Sequence, residues 1–367
     1  MQSSATHFEF KPFNVARWVI WGLFAIILLL APKAFSSNFS VSMLTQMGAV
    51  MIVCLSYNML LGQGGMLSFG HAVYTGLGAY IAMHTLNAAA SGVLPVPVSL
   101  IPLVGGIGGM FFAVLFGYVT TRKSGTTFAM ITLGISELVF AMSLMFSGFF
   151  GGEAGISGNR VVGTPFLGIT FGPPIQVYYL TAAYTFVCVA LMYAFTRTPL
   201  GRILNAVRDN PERVEFIGYN TQQVRYVAFI IAGFFAGIAG GIGALNFEIV
   251  TAENVGAARS GAYLLFTFLG GATFFFGPII GNIAGFGICI AIRIYQSMVA
   301  VSGTRVLIHG DVRTRRHLEF DHDESSFGCF WSLAPYLGRL YRTRINSAVG
   351  IGRRCRHRRD GLSLATQ

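Results

Sequence analysis

Long apolar segments, separated by short polar or glycine-rich segments, run through the chain as far as residue 292. A helix needs about 20 apolar residues to cross the hydrocarbon core of a bilayer, and it satisfies its own backbone hydrogen bonds there. The pattern therefore predicts an all-α, polytopic transmembrane helix bundle. About eight spans are expected, at residues 18–31, 40–61, 66–86, 98–119, 126–147, 177–196, 226–245 and 263–292.

Two of the predicted spans contain small residues at four-residue spacing. They are Gly233, Gly237 and Gly241 in one span, and Gly277, Gly281 and Gly285 in the other. Small side chains at this spacing let membrane helices approach closely, so we expect both helices inside the bundle, where packing alone explains the glycines. Pro278 cannot donate a backbone hydrogen bond, and the last apolar segment is therefore expected to be broken or kinked.

Composition supports a membrane protein and argues against an enzyme. Hydrophobic residues make up 54% of the chain and charged residues 11%, against roughly 25% charged residues in a soluble domain. The five cysteines lie apart from one another, so they predict neither a disulfide framework nor a zinc site. We find no paired carboxylates, metal-ligand cluster or activated nucleophile at useful spacing, and we predict no catalytic, cofactor-binding or metal-binding residues.

Basic residues predict the orientation of the bundle, because short cytoplasmic loops are enriched in Lys and Arg. Residues 1–17 carry two basic side chains and are expected on the cytoplasmic side. Four crossings later come the basic residues 122–123, and two more crossings lead to the arginine-rich segment 197–225. Both clusters then fall on the cytoplasmic side. The same count places the glycine-rich segment 149–175 and the segment 247–259 outside.

The polar segment 198–220 separates two predicted spans and has the signals of two short capped helices. Thr198 and Asn210 each precede a proline; such side chains cap helix starts, and proline suits the first helical position. Gly218 is a natural helix end. The apolar side chains fall near one helical face, which leaves the charged ones to water or to a partner. The apolar set is Leu200, Leu204, Val207 and Val214, and the charged set is Arg202, Arg208, Asp209, Arg213 and Glu215.

The order of residues in this segment resembles the cytoplasmic coupling loop in permeases of branched-chain amino acid ABC transporters. A Pro-Leu-Gly-Arg start, an Ala-Val-Arg-Asp-Asn centre and a closing Gly-Tyr-Asn are all present. In that family the loop docks on the ATPase subunit, so the resemblance implies that residues 198–220 form a coupling elbow. A charged loop that only obeys the topology rule is the alternative. The residues carried over are Pro199, Gly201, Arg202, Ala206, Arg208, Asp209, Asn210, Glu215 and Gly218.

A second resemblance to the same family lies at residues 62–80, which contain the pattern G-x-x-G-x-L-S-x-G-H-A. Its polar and glycine residues are candidates for a solute path or for a helix entry. These candidates are Gly64, Ser68, His71 and Tyr74. For His71, a hydrogen bond to a neighbouring helix is the simpler interpretation.

Glu137 is a further candidate, because an acidic residue near mid-membrane suggests a functional site. Its partner is either a substrate ammonium or a neighbouring hydroxyl or backbone donor, and the second interpretation is slightly favoured.

The resemblance also includes residues 128–137, 151–158 and 260–285. It implies the membrane-spanning permease subunit of an ATP-binding cassette importer that translocates branched-chain or related amino acids across the bacterial cytoplasmic (inner) membrane. The chain contains no Gly-x-x-x-x-Gly-Lys-Ser/Thr phosphate loop. We therefore expect it to bind no cofactor itself, with ATP used by partner subunits.

The implied partners are two ATPase subunits, a second homologous permease subunit, a periplasmic or lipid-anchored solute-binding protein, and membrane lipid. Nucleic acid is not expected as a partner. The alternatives are an ABC permease for urea, short amides or sugars, or an ion-coupled secondary transporter. An ion-coupled transporter needs an intramembrane relay of acids or histidines, for which the chain offers only Glu137 and His71.

After residue 302 the hydrophobic pattern and the family resemblance both end. The net charge of the chain is +11, with 13 basic against 8 acidic residues up to Ser302 and 12 against 6 beyond it. We therefore divide the chain into a transmembrane permease domain at 18–302 and an atypical Arg-rich tail at 303–367. The tail is open to three interpretations: a segment that attracts phosphate groups, a disordered solvated end, or the product of a reading-frame shift near codon 302.

Overall fold

The computed structural model describes residues 15–34, 37–93, 96–162 and 171–288 of the 367-residue chain. Regular structure in these ranges is almost entirely helical. The predicted tail and most of the predicted N-terminal segment lie outside the described residues. The helices are α1 (Val15–Ala34), α2 (Asn38–Asn58), α3 (His71–Ala90), α4 (Ile101–Thr120), α5 (Thr126–Met145), α6 (Ser147–Phe150), α7 (Pro174–Arg197), α8 (Pro199–Asp209), α9 (Pro211–Phe216), α10 (Thr221–Phe247), α11 (Ala257–Gly270) and α12 (Gly277–Ile288).

Shorter elements connect these helices. A π-helical turn, Met59–Gln63, continues α2 at its carboxyl end. Two short strands, β1 (Ile156–Ser157) and β2 (Ile249–Val250), pair antiparallel and join the segment before α7 to the segment after α10. Turns of 3-10 helix occur at Val98–Leu100, Gly152–Ala154, Arg160–Val162 and Ala252–Asn254.

Five described helices are long and apolar enough to cross a membrane, which confirms the predicted all-α polytopic bundle. They are Asn38–Gln63, Val98–Thr120, Thr126–Met145, Pro174–Arg197 and Thr221–Phe247. The other three predicted spans differ. Helix α3 has the length but a less apolar sequence, the apolar part of α1 is the shorter helix Trp18–Ala34, and the last segment is divided into two short helices. The total of eight spans stays a prediction.

The break in the last apolar segment is confirmed, and it lies at Gly271 rather than at the proline. Helix α11 ends at Gly270, and Gly271 has a φ of +91° that favours glycine. Pro278 is the second residue of α12, a position where its missing N–H costs no helical bond. A Cβ atom on Gly281 would lie only 2.6 Å from the Gly270 nitrogen, so α12 returns along the end of α11.

Helix α10 lies at the centre of the bundle and packs against α2, α3 and α4. At Gly237 it lies directly against α4, where a Cβ atom would be 2.9 Å from the Cα of Gly109 and 3.0 Å from the Cα of Gly106. Gly78 of α3 packs against the same position, because a Cβ atom added to Gly78 would lie 2.7 Å from the Gly237 Cα. The interior placement expected for the glycines of α10 is confirmed, and the glycines of α3 and α4 are their partners.

Candidate coupling elbow and intramembrane polar layer

The candidate coupling elbow, called the elbow below, consists of α8 and α9, and its predicted caps are confirmed. The Thr198 hydroxyl accepts a hydrogen bond from the Gly201 backbone N–H at 3.3 Å, and the Asn210 side chain accepts one from Arg213 N–H at 3.1 Å. Gly218 has a φ of +96° and follows the end of α9. One further cap was not predicted: the Asn220 side chain accepts a hydrogen bond from the Gln223 N–H at 3.2 Å at the start of α10.

Burial divides the elbow into an inner and an outer face, as its pattern predicted. Leu204, Val207 and Val214 are buried against the bundle, and Leu200 is half-buried. The outer face carries most of the residues singled out from the sequence. Its exposed residues are Pro199, Arg202, Ala206, Arg208, Asp209, Asn210, Glu215 and Gly218.

Gly201 differs from the other candidate residues of the elbow because it is buried. A Cβ atom there would lie 3.1 Å from the Cα of Thr196, inside the corner between α7 and α8. The absence of a side chain at Gly201 therefore lets α8 start close against the end of α7.

The tip of the elbow is apolar and exposed, a feature that the sequence analysis missed. Phe216 has 89% of its surface exposed and Ile217 has 74%, and Tyr219 is also exposed. Large apolar side chains that are exposed at the end of a short helix suit a protein contact. The available signal was an aromatic-aliphatic pair directly before the helix-ending Gly218.

Arg208 connects the elbow to the end of α2. Its guanidinium donates to the Gly62 carbonyl through Nη1, and to the Asp209 carboxylate at 2.9 Å and 3.0 Å. Gly65, with a φ of +65°, lies so close that a Cβ atom would be 2.8 Å from Arg208 Cγ. Arg208 was predicted to be available to water or to a partner, whereas part of its side chain contacts the π-helical turn.

The candidate residues Ser68, His71 and Tyr74 are brought together and are almost completely buried. His71 Nε2 lies 2.8 Å from the Ser56 hydroxyl, and the Tyr57 hydroxyl donates to the Ser68 carbonyl at 2.9 Å. These contacts join the start of α3 to α2, in agreement with the simpler interpretation of His71. Gly64 lies apart from them, against Leu204 of the elbow.

The start of α11 packs inside the bundle, and the external placement of residues 247–259 stays a prediction. Gly76 leaves space for Val255, because a Cβ atom on that glycine would be 2.6 Å from Val255 Cγ2. The Ser136 hydroxyl donates to the Val255 carbonyl at 3.2 Å, and the Ser260 hydroxyl accepts from Ala72 N–H at 2.9 Å. Serine side chains thus satisfy backbone groups that lipid or a dry interior would leave unpaired.

Helices α3 and α11 therefore both begin within the bundle and meet at a buried polar layer. Its hydroxyl and imidazole groups are those of Ser56, Ser68, His71, Thr132, Ser136 and Ser260. In secondary transporters, discontinuous helices that begin inside the bundle typically form the substrate site. Sequence reasoning missed Ser56, Thr132, Ser136 and Ser260, because single hydroxyl residues in apolar runs carry no distinctive spacing.

Glu137 does not join this layer. The side chain is exposed, and it makes no hydrogen bond or ion pair with any residue in the described ranges. The described residues therefore offer no hydroxyl or backbone donor to Glu137, and both interpretations of this residue stay predictions. The neighbouring Ser136, one residue earlier, occupies the inward position instead.

The predicted external loop is fastened to the end of α10 by Arg160. Its guanidinium donates to the carbonyls of Leu245 at 3.0 Å and Gly172 at 3.2 Å, and it lies 3.6 Å from the Glu248 carboxylate. The backbone N–H of Arg160 also donates to Glu248 at 3.2 Å. The β1–β2 pairing then connects this loop to the segment that enters the polar layer.

Replacing Arg160 with alanine is expected to loosen this loop, because hydrogen bonds of a charged group contribute about 1.5–3 kcal/mol each. Hydrogen exchange at residues 152–160 and 249–250 should become faster. Arg122→Ala is the control, since that guanidinium contacts Tyr118 at the other end of the bundle. Equal exchange in the two variants would show that Arg160 does not hold the loop.

Comparison with known proteins identifies the family. The family described as "Branched-chain amino acid transport system / permease component" matches residues 39–305, more than two thirds of the chain. The permease protein LivM of the high-affinity branched-chain amino acid transport system of Salmonella typhimurium is 27% identical over 276 residues, which cover 68% of this chain and 63% of that protein. The Escherichia coli LivM is 25% identical, with coverage of 71% and 66%.

A sugar permease is similar over a larger share of its own length. The D-allose transport system permease protein AlsC of Escherichia coli is 25% identical over 80% of this chain and 92% of that protein. The chain spans about two thirds of the length of the two LivM proteins. No solved structure matches the chain. The extent of the family match, together with the five span-length helices, shows that the chain is a multi-pass membrane protein that belongs to the branched-chain amino acid transport system permease family.

Proposed function

We propose that the chain is the permease subunit of an ATP-driven importer for branched-chain or related amino acids. The observation that carries the proposal is the coupling elbow, with its exposed polar face, its apolar tip at Phe216 and Ile217, and its Arg208 link to α2. The LivM relatives are described as permeases for branched-chain amino acids, which supports the substrate class. The chain supplies the membrane path and obtains its energy from partners.

The proposed assembly contains two ATPase subunits, a second homologous permease subunit and a solute-binding protein, in the bacterial cytoplasmic membrane with the N-terminus inside. ATP binding moves the ATPases and, through the docked tip, the elbow. Because Arg208 contacts the Gly62 carbonyl, the movement reaches the π-helical turn and the loop before α3. That loop ends at the buried polar layer. Each position of the elbow therefore favours one conformation of the solute path at this layer. Solute bound at the layer favours the same state in return.

Sugar import is the second candidate, because AlsC aligns over nearly its whole length. Both candidates use the same elbow, and they differ only in the solute accepted at the polar layer. An ion-coupled transporter is less well supported, since ion coupling gives no reason for an exposed apolar tip.

The test is a double substitution, Phe216→Asp with Ile217→Asp, in the complete transporter reconstituted in vesicles. We expect ATP-driven leucine uptake to fall on the order of tenfold or more, because a charged tip removes the apolar docking contact. Val93→Asp is the control, since Val93 is 74% exposed, as Ile217 is, and lies just after the end of α3. Uptake of leucine and of D-allose is measured in parallel, with membrane insertion checked by protease mapping.

Unchanged uptake in the double variant would contradict the docking role of the tip. Uptake of D-allose without leucine in the wild-type transporter would replace the amino-acid proposal with the sugar one. Uptake that follows an ion gradient without ATP would overturn both.

A further inference from the structure

The outward face of α5 carries an acidic residue near the middle of a span-length helix. Glu137 is the twelfth of the 20 residues of α5, and it is the only aspartate or glutamate in the five span-length helices. Its side chain is exposed, and no residue in the described ranges gives it a hydrogen bond or an ion pair. A carboxylate at this depth is costly in lipid, and such residues face a protein partner or a watery cavity.

The bundle of this chain leaves no inward position for Glu137. The inward face of α5 is formed by buried residues at helical spacing, which are Phe128, Ala129, Thr132, Ser136, Val139 and Ser143. Thr132 and Ser136 are already bonded to the loops before α3 and α11. Turning Glu137 inward would break both contacts, so its partner must come from outside the described bundle.

The rest of the outward face has the composition of a helix contact. A Cβ atom on Gly134 would meet nothing within 4 Å, and Ala141, seven residues later, is exposed. Large apolar residues flank these small ones, since Met130 and Leu138 are both exposed. Small residues beside large ones let a second helix approach closely in lipid. Helix α5 is also the least buried of the five span-length helices. In its 18-residue apolar stretch 33% of the residues are buried, against 44–67% in the other four helices.

We propose that this face of α5, comprising Met130, Gly134, Glu137, Leu138 and Ala141, is the contact surface for the second permease subunit. That subunit presents a basic or amide donor to Glu137. The inference rests on the proposed function, because it takes the second permease from that assembly. Beyond that assembly, the inference specifies which helix makes the contact and which kind of side chain the second permease places opposite Glu137.

Charge complementarity favours a non-identical subunit over a second copy of this chain. In the described spans of this chain the basic residues lie at helix ends, as Arg197 and Arg225 do. Arg259, the third residue of α11, lies near the start of that helix inside the bundle, where it interacts with Tyr263 of the same helix. Among the described spans, a second copy therefore offers Glu137 only basic side chains at helix ends or, in Arg259, one already engaged with Tyr263, whereas a different permease of the same transporter is free to present another cation.

The first test is site-specific photo-cross-linking in membranes that contain the complete transporter. A benzophenone amino acid at Leu138 is expected to form an adduct with the second permease, identified by mass spectrometry. The matched control is Leu115 of α4, because its exposed fraction is 55% against 56% for Leu138. Adducts with lipid alone, with another copy of this chain or within the chain would each overturn the proposal.

The second test compares Glu137→Leu with Glu137→Gln. Leucine suits lipid, so the first variant should insert normally while losing the polar contact, whereas glutamine keeps hydrogen-bonding groups. We expect the second permease to co-purify about tenfold less with Glu137→Leu and near the wild-type level with Glu137→Gln. Equal co-purification of the wild type and Glu137→Leu would refute the contact.

ATP-driven uptake by the wild-type transporter separates the two proposals. If the transporter imports solute with ATP but the permeases show no contact at α5, only the proposed α5 contact surface is refuted. A transporter in which both permeases meet at α5 without ATP-driven import defeats only the proposed function.

Discussion

Replacing Gly237 with valine is expected to prevent accumulation of the folded bundle. The added Cβ atom would lie 2.9 Å from the Gly109 Cα and 3.0 Å from the Gly106 Cα, closer than side-chain carbons approach backbone atoms. Both contacts are with the backbone of α4, so no side chain is able to turn away. Overpacking costs about 1–3 kcal/mol even where side chains adjust, and here whole helices must separate. We expect a loss above that range.

Gly243 provides the control for this prediction. It lies six residues further along α10, and a Cβ atom there meets nothing within 4 Å. Gly243→Val therefore introduces the same β-branched residue into the same helix without a clash. The measurement is the amount of monodisperse protein extracted from membranes, with its resistance to protease. Similar yields of the two valine variants would mean that the close approach at Gly237 does not hold the bundle together.

Helix spacing predicted the glycine surface of α10 but not its partners. The four-residue repeat from Gly233 to Gly241 is visible in the sequence and indicates a face for close packing. Which helices use that face depends on tertiary structure, because Gly78 and Gly105 stand in ordinary apolar surroundings in the sequence. Their partnership with Gly237 becomes evident only from the distances between backbones.

The elbow was predicted more completely, because its signals are local. Thr198 and Asn210 bond to backbone groups three residues away, and such caps can be inferred from neighbouring residues. The Arg208 contact with Gly62 joins residues 146 positions apart, and no local pattern contains it. Local chemistry thus predicted the shape of the elbow, while its connection to the path required the structure.

The packing of the segment before α11 could not be predicted from the sequence, for a physical reason. Residues 252–256 look like an ordinary loop, with Glu253 and Asn254 in sequence. The segment is held inside the bundle by the missing side chain of Gly76 and by the hydroxyls of Ser136 and Ser260. A hydropathy scale averages over many residues, so it does not detect a single glycine that leaves space for another segment of the same chain.

Replacing Arg208 with alanine is expected to separate ATP hydrolysis from transport. The variant keeps the apolar tip that we propose for docking, so the ATPases should still co-purify and hydrolyse ATP. It loses the hydrogen bond to the Gly62 carbonyl, and with it the polar link from the elbow to the π-helical turn. Coupling between distant sites typically corresponds to about 5–150-fold, so we expect solute imported per ATP hydrolysed to fall on the order of tenfold. Arg197→Ala is the control, since that guanidinium contacts Tyr193 within α7. Loss of the ATPases from the purified Arg208 variant would assign Arg208 to docking instead, and an unchanged transport ratio would remove it from the coupling route.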